Sequence, residues 1–312
     1  MKIFHSLCDF SLTKKTIITI GTFDGVHIGH TKILEKIIQI SKELDCESLV
    51  LTFFPHPRMV LQEKSSVKLL HTMEEKKAML QKTGIDNLII HPFNKEFSQL
   101  SAEEFVKEIL IDQLQIKKII IGHDHRFGRN RTADINDLIS FGKKYGFEVE
   151  QISAQEIDEI AVSSTKIRNA LLDGTISLAN EYLGYNYFFS GTVVQGQQIG
   201  SKIGFPTANI HIKEDYKLIP KNGVYIVKSY LNEELIYGIM NIGNRPTVNG
   251  LNQTIEVHFL DFDKDLYGQE ITIEVVEFIR EEQKFDSIDA LKNQIQKDKE
   301  QSLSFILKNK SL

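Results

Sequence analysis

Hydrophobic positions in the first half of the chain occur as short β-branched runs separated by segments of helical spacing. Between the first two runs, for example, Leu34, Ile37, Ile38, Ser41 and Leu44 recur at helical intervals. Strands that are apolar on both faces and alternate with helices favour a parallel sheet covered on both sides, with ligands at the carboxyl ends of the strands. We therefore predict an α/β, Rossmann-like domain with strands at residues 16–20, 48–54, 87–91, 117–122 and 147–152 and further helices at 72–83, 101–114 and 134–145.

The pattern changes after residue 184 to strands and Gly-rich turns without intervening helices. Such a series predicts a small closed or half-closed antiparallel barrel. A last helix is expected from Ser287, a plausible N-cap, to about Leu307. We place the domain boundary between residues 185 and 186, which gives two domains, 1–185 and 186–312.

Composition narrows the class of protein. The 312 residues are 41% hydrophobic and carry a net charge of -5, and no apolar run reaches the roughly 18 residues of a membrane helix. The charge argues against a broad nucleic-acid surface, so no nucleic-acid or membrane partner is expected. The start of the chain has no export signal, which predicts a cytoplasmic protein. Two cysteines are too few for a disulfide framework. Nothing in the sequence sets the oligomeric state.

The strand at 16–20 runs into GTFDGVHIGH, residues 21–30, and then into a helix. The glycines allow a tight turn and a close backbone approach, and the helix start offers N–H groups to a phosphate. His27 and His30 fall on one side of the first helical turn, where they could donate hydrogen bonds to charge developing on a phosphate. A Gly-rich connector with two capping histidines is the structural alternative.

Late in the same domain, AVSSTKIRNALLDG covers residues 161–174. Ser163, Ser164 and Thr165 suit an N-cap, and Lys166 and Arg168 add two cations to the first helical turn. A capped surface helix would explain the hydroxyl groups but not the pair of cations. The segment is a candidate triphosphate site.

In the second half, GSKIGFPTANI covers residues 200–210. Pro206 favours an extended conformation, so PTAN should begin a strand with Thr207 and Asn209 on one face. Their oxygen atoms suit Mg²⁺. In TIEVHFLDF, strand alternation points Glu256 away from an apolar row, which is compatible with a solvent-facing residue or with a general base.

These motifs occur in one order over residues 16–305, and the chain resembles the bacterial bifunctional riboflavin kinase/FAD synthetases. The resemblance implies ATP-dependent phosphorylation of riboflavin to FMN, then adenylylation of FMN to FAD with release of pyrophosphate. It implies Mg²⁺ as cofactor, with Thr207 and Asn209 holding the metal and nucleotide and Glu256 activating the ribityl 5′-hydroxyl. It also assigns His27 and His30 to adenylyl transfer. The remaining ATP contacts that it implies are Gly21, Phe23, Asp24, Gly25, Gly29, Ser164, Thr165, Lys166 and Arg168 in the first domain and Lys202, Gly204 and Pro206 in the second.

Two further loops, TFFPHPR at 52–58 and GHDHRFGRNR at 122–131, resemble the flavin-side loops of this family. The second departs from the family pattern at His125, where phenylalanine is commoner, and at His123, where an acidic residue is often found. The resemblance implies flavin contacts from Pro55, His56, Asp124, Arg126 and Phe127.

Two alternatives to the bifunctional enzyme are a monofunctional FAD synthetase and a flavin-binding regulatory protein, each with an inactive kinase barrel. Retention of Thr207, Asn209 and Glu256 argues against the first, and the presence of both nucleotidyltransferase motifs argues against the second. A nucleotidyltransferase for another phosphorylated alcohol would leave the barrel unexplained.

Overall fold

A computed structural model describes the whole chain except residues 12, 63–66, 123–124, 153–161, 197–199, 201–202, 232, 248–249 and 311–312. The chain forms two compact units, Met1–Ser164 and Thr165–Leu312. Among the described residues, no helix is both long enough and apolar enough to cross a bilayer.

A six-stranded sheet forms the centre of the first unit, with strand order β1-β4-β3-β2-β5-β6 and parallel pairing throughout. The strands are β1 (Lys2–Phe4), β2 (Thr16–Ile20), β3 (Glu47–Phe54), β4 (Asn87–Pro92), β5 (Ile116–Gly122) and β6 (Glu148–Ile152). The five predicted strands are confirmed, and β1 is an additional edge strand too short for a periodic pattern to reveal.

Helices cover both faces of this sheet. Successive strand residues contribute to different hydrophobic clusters: Ile17 and Val50 pack on one face, while Ile18 and Leu49 pack on the other. This arrangement explains why the strands are apolar throughout. The helices are α1 (Ile28–Glu43), α2 (Pro57–Leu61), α3 (Met73–Thr83), α4 (Ala102–Glu104), which continues with π-helical hydrogen bonding over Phe105–Gln113, and α5 (Ile135–Tyr145).

The second unit contains a closed barrel of six strands in the order β10-β11-β8-β7-β12-β9, with antiparallel pairing. Its elements are α6 (Ser164–Asp173), α7 (Ile176–Leu183), β7 (Phe188–Val194), β8 (Ala208–His211), β9 (Gly223–Leu231), β10 (Glu234–Thr247), β11 (Gly250–Phe259), β12 (Glu270–Arg280) and α8 (Ile288–Lys310). The predicted barrel is confirmed in its closed form. The last helix is confirmed as well, with Ser287 Oγ accepting a hydrogen bond from Ala290 N at 3.1 Å.

Helix α7 is joined to the barrel by Asn180. Its Nδ2 donates to Val275 O at 3.0 Å, and its Oδ1 accepts from Tyr187 N at 2.7 Å. Helix α7, and α6 from Thr165 onward, belong to the second compact unit, although they precede residue 185. The assignment of one activity to residues 1–185 and the other to 186–312 stays a prediction.

Candidate active sites

The turn between β2 and α1 brings the two predicted histidines together. The rings of His27 and His30 stack with centroids 3.6 Å apart and planes inclined by 16°. His27 is the N-cap of α1, and its Nδ1 accepts a hydrogen bond from His30 N at 3.4 Å. The spacing argument for a shared side of the first turn is confirmed. Burial lowers the pKa of His30 well below its ordinary value, and the neighbouring charges of His27, Lys76 and His71 lower it further. His30 is therefore neutral near pH 7.

The backbone of this turn is strained. Phe23 has φ of 46° and Val26 has φ of 36°, both in the left-handed region that bulky residues avoid. Gly25, between them, has φ of 92°. The Phe23 side chain is buried and packs on His30 with ring centroids 4.9 Å apart. The strain thus lies at the residues that position the histidines, which is where binding sites commonly store it.

Ser164 reaches the same turn within the first unit. Its Oγ donates to Asp24 O at 2.8 Å. Helix α6 begins at Ser164, and its buried side is formed by Ile167 with Ala170 and Leu171. Among the other predicted residues of this segment, Thr165 and Lys166 are exposed and Arg168 is half-buried.

Two buried charges lie at the turn, of which the sequence analysis singled out only Asp24. Asp24, predicted only as an ATP contact, is buried, and its Oδ1 accepts from Leu70 N at 2.9 Å and His71 N at 3.4 Å. Lys76 on α3 is 2% exposed, and its Nζ donates to Thr22 O at 2.7 Å. The sequence contained one indication of this position, because Lys76 lies one helical turn before the apolar residue Leu80. In the structure Leu80 is buried, on the side of α3 that faces the core.

The predicted flavin loops flank a row of aromatic rings at the carboxyl ends of β3, β4 and β5. Phe53, Phe93 and Phe97 form mutual contacts at centroid distances of 5.5–5.8 Å. Phe97 also packs on Phe105 at 6.2 Å, and Phe105 packs on Phe127 at 6.1 Å. Apart from Phe127, these phenylalanines were not predicted as site residues, because their alignment depends on three separate strands and loops.

The other predicted flavin contacts have different environments. Pro55 is exposed after a cis peptide bond, and His56 is buried, with Nδ1 accepting from Arg58 N at 3.1 Å. Arg126 is exposed. Asp124 and His123 lie outside the described residues.

A polar pocket forms on the barrel where β8 meets β11. Glu256 is the register partner of Asn209, so their side chains lie on one face, and Thr207 Oγ1 donates to Glu256 Oε2 at 3.4 Å. The alternation predicted for β11 is confirmed: Ile255 and Val257 are buried, whereas Glu256 is partly exposed. The pocket combines a hydroxyl, a carboxamide and a carboxylate, the hard oxygen ligands that a small divalent cation prefers.

The strand β8 starts at Ala208, one residue after Thr207, rather than within the PT pair. Pro206 lacks an N–H group for a ladder hydrogen bond, and its carbonyl is instead 2.8 Å from His258 Nδ1. The expected common face of Thr207 and Asn209 survives this change, because both lie beside Glu256.

Gly196, two residues after the end of β7, lies against Asn209. A methyl group at Gly196 would lie 2.2 Å from Asn209 Nδ2, so only glycine fits beside the carboxamide. Gly204, predicted to contact ATP, is exposed with φ of 87°, and Pro206 is also exposed. Lys202 lies outside the described residues.

Comparison with known proteins identifies both halves. The family model for FAD synthetase matches residues 9–166, and the model for riboflavin kinase matches residues 183–306. Three bacterial relatives are each named bifunctional riboflavin kinase/FMN adenylyltransferase. That of Haemophilus influenzae is 39% identical over 92% of this chain and 93% of its own. That of Listeria monocytogenes is 37% identical over 94% and 93%, and that of Escherichia coli K12 is 37% identical over 90% of each.

A crystal structure described as a macrolide-efflux protein from Streptococcus pneumoniae shares the architecture, with a TM-score of 0.87, 28% identity and coverage of 96% of this chain and 97% of its own. The sequence resemblance to relatives named for two activities, over nearly all of both chains, agrees with the matches to two family models. The chain therefore belongs to the bifunctional riboflavin kinase/FAD synthetase family, and it phosphorylates riboflavin to FMN and adenylylates FMN to FAD with ATP.

Proposed function

We propose that adenylylation takes place at the His27–His30 turn, within residues 1–185, and riboflavin phosphorylation at the pocket of Thr207, Asn209 and Glu256, within 186–312. One observation carries this division. The stacked histidines belong to the first compact unit, while the three pocket residues belong to the second. Two separate chemical groupings fit two separate transfers.

At the first site, an FMN phosphate oxygen attacks the α-phosphorus of ATP, and the bond to the bridging oxygen of pyrophosphate breaks. No protein nucleophile is needed, so catalysis depends on position and charge. His27 and His30 donate N–H hydrogen bonds to the α-phosphate as charge develops there. The family resemblance further implies triphosphate contacts from Lys166 and Arg168, assisted by Ser164 and Thr165. The backbone of the turn approaches the nucleotide at the positions predicted above, Gly21, Phe23, Asp24, Gly25 and Gly29.

The flavin ring of FMN is assigned to the aromatic row of Phe53, Phe93, Phe97 and Phe127. Aromatic faces bind a planar ring by stacking with little reorganisation. The exposed side chains of Pro55 and Arg126 lie in loops at the same strand ends, where Arg126 offers a charge-assisted hydrogen bond to the FMN phosphate. His56 and Asp124 complete the set that the family resemblance implies.

At the second site, Glu256 takes the proton of the riboflavin 5′-hydroxyl as that oxygen bonds to the γ-phosphorus and ADP leaves. Thr207 and Asn209 orient the nucleotide from the same face of the barrel, and the family resemblance adds Lys202, Gly204 and Pro206 as nucleotide contacts. The side-chain oxygen atoms of Thr207 and Asn209 fit Mg²⁺, which when bound would neutralise phosphate charge during the transfer.

The division is tested by supplying each substrate separately to variants of each site. Riboflavin with ATP and Mg²⁺ reports the kinase, and FMN with the same reagents reports the adenylyltransferase, with products separated by chromatography. A variant of either site should lose one product only. Loss of both products from a folded variant of one site would contradict the division. We further expect the enzyme to act in the cytoplasm.

A further inference from the structure

Lys76 is a buried cation that contacts the turn between β2 and α1, the turn that carries His27 and His30. It lies on α3, about 50 residues along the chain from the turn, with 2% of its surface exposed, and its Nζ donates to Thr22 O at 2.7 Å. The same carbonyl accepts from Thr52 Oγ1 at 3.3 Å. Removing an ammonium group from water is costly unless the charge is paired or used. The cost of burying Lys76 therefore indicates that its hydrogen bond to the carbonyl of Thr22 has a function.

The carbonyl that Lys76 holds controls the strained part of the turn. The oxygen of Thr22 and the nitrogen of Phe23 share one peptide plane, so fixing Thr22 O restricts φ of Phe23, the residue with φ of 46°. The Phe23 ring in turn packs on His30. A direct sequence of contacts thus runs from Lys76 through Thr22 and Phe23 to the histidine pair.

Lys76 is itself held rigidly. A capping box starts α3, with Thr72 Oγ1 accepting from Glu75 N at 3.2 Å and Glu75 Oε2 accepting from Thr72 N at 2.8 Å. Immediately before it, the amides of Leu70 and His71 bind the Asp24 carboxylate. The turn is therefore connected to the start of α3 at two points, through the Asp24 carboxylate and through the Lys76 ammonium group.

We propose that Lys76 is a positioning residue for adenylyl transfer, whose buried ammonium group fixes the Thr22–Phe23 peptide and thereby aligns His30 with the α-phosphate of ATP. The inference rests on the proposed role of the histidine turn and extends it to a residue outside both motifs. Lys76 acts through the turn and does not itself react.

The electrostatics of the turn agree with this role. Burial lowers the pKa of Lys76, while the charge of Asp24 opposes that change and favours the ammonium form. After burial and His27, the charge of Lys76 is the next cause that lowers the pKa of His30, followed by His71. Lys76 therefore helps to keep His30 in its neutral, hydrogen-bonding form.

The test compares Lys76→Met with Lys77→Met in the full-length protein. Methionine keeps the length of the side chain and removes its charge, and Lys77 is the adjacent residue on α3, where it pairs with Glu74 at 2.8 Å. With FMN, ATP and Mg²⁺, kcat for FAD formation by Lys76→Met should fall roughly ten- to hundredfold, as loss of a hydrogen bond from a charged group commonly gives. KM for FMN should change less than about threefold, and riboflavin phosphorylation should stay normal.

The pH profile separates alignment of His30 from general packing. Loss of the Lys76 charge raises the pKa of His30. As the pH is lowered, FAD formation by Lys76→Met should therefore begin to fall at a higher pH than in wild type. Lys77→Met should keep the acid side, or acid limb, of the wild-type pH profile. If Lys76→Met unfolds before wild type in a thermal scan, Lys76→Gln provides the same comparison with a polar side chain.

Three results would each overturn a different part of this proposal. Turnover within about twofold of wild type in folded Lys76→Met removes the role of Lys76. Lower turnover with an unmoved acid limb reduces Lys76 to a packing residue. Normal FAD formation by His27→Ala and His30→Ala removes the proposed site itself.

Discussion

Thr207 and Glu256 meet across two barrel strands, with Thr207 Oγ1 donating to Glu256 Oε2 at 3.4 Å. The contact joins a residue just before β8 to one in the middle of β11. Glu256 lies beside Asn209 and is partly exposed, and its carboxylate can accept a further hydrogen bond. A substrate hydroxyl that enters this pocket would meet the proposed general base together with the two residues proposed to orient the nucleotide.

Glu256→Gln should slow riboflavin phosphorylation by ~10²- to 10⁴-fold, the usual contribution of a positioned general base. Glutamine keeps the size and polarity of the side chain and can still accept the Thr207 hydrogen bond, but it cannot take the proton. Steady-state kinase turnover measures the loss, after a pre-steady-state experiment shows that chemistry limits the rate.

Glu270→Gln provides the matched control, because Glu270 is an exposed glutamate on barrel strand β12. It should phosphorylate riboflavin normally, and both variants should adenylylate supplied FMN normally. If Glu256→Gln keeps kinase turnover within about a factor of two of wild type, the general-base role is excluded.

Gly196→Ala should reduce kinase activity by displacing Asn209. The added methyl group would lie 2.2 Å from Asn209 Nδ2 and 2.5 Å from Cγ, so the carboxamide must move. We expect a loss in kcat/KM similar to that of Asn209→Ala, and little additional loss in the double variant, because both changes act on the same group. Fully additive losses would show that Gly196 acts on something other than Asn209.

Regular periodicity allowed the sequence to predict the parallel sheet, the barrel and the local geometry within each motif. The shared side of His27 and His30 and the common face of Thr207 and Asn209 follow from helix and strand spacing alone. Contacts between distant segments could not be predicted in this way. Lys76 reaches Thr22 only because α3 lies against the turn that follows β2. Gly196 approaches Asn209 only because β7 pairs with β8.

Arg168→Ala should raise KM for ATP in FAD formation by roughly tenfold, because a charge-assisted hydrogen bond to phosphate contributes ~1.5 kcal/mol or more. KM for ATP in riboflavin phosphorylation should not change. Lys292→Ala, which removes an exposed cation from α8, controls for a general effect of charge. An unchanged ATP dependence of FAD formation in Arg168→Ala would make Arg168 a helix-surface charge only.

His27→Ala and His30→Ala should each strongly slow or abolish FAD formation while leaving riboflavin phosphorylation nearly intact. Each substitution removes a donor to the α-phosphate and one ring of a stack whose centroids are 3.6 Å apart. Because the two rings support each other, the double variant should lose less than the product of the two single losses. FAD formation from supplied FMN measures the first activity and FMN formation from riboflavin the second, with exposed His5→Ala as the matched control. Equal loss of both activities in a folded His27 or His30 variant would contradict two separate sites.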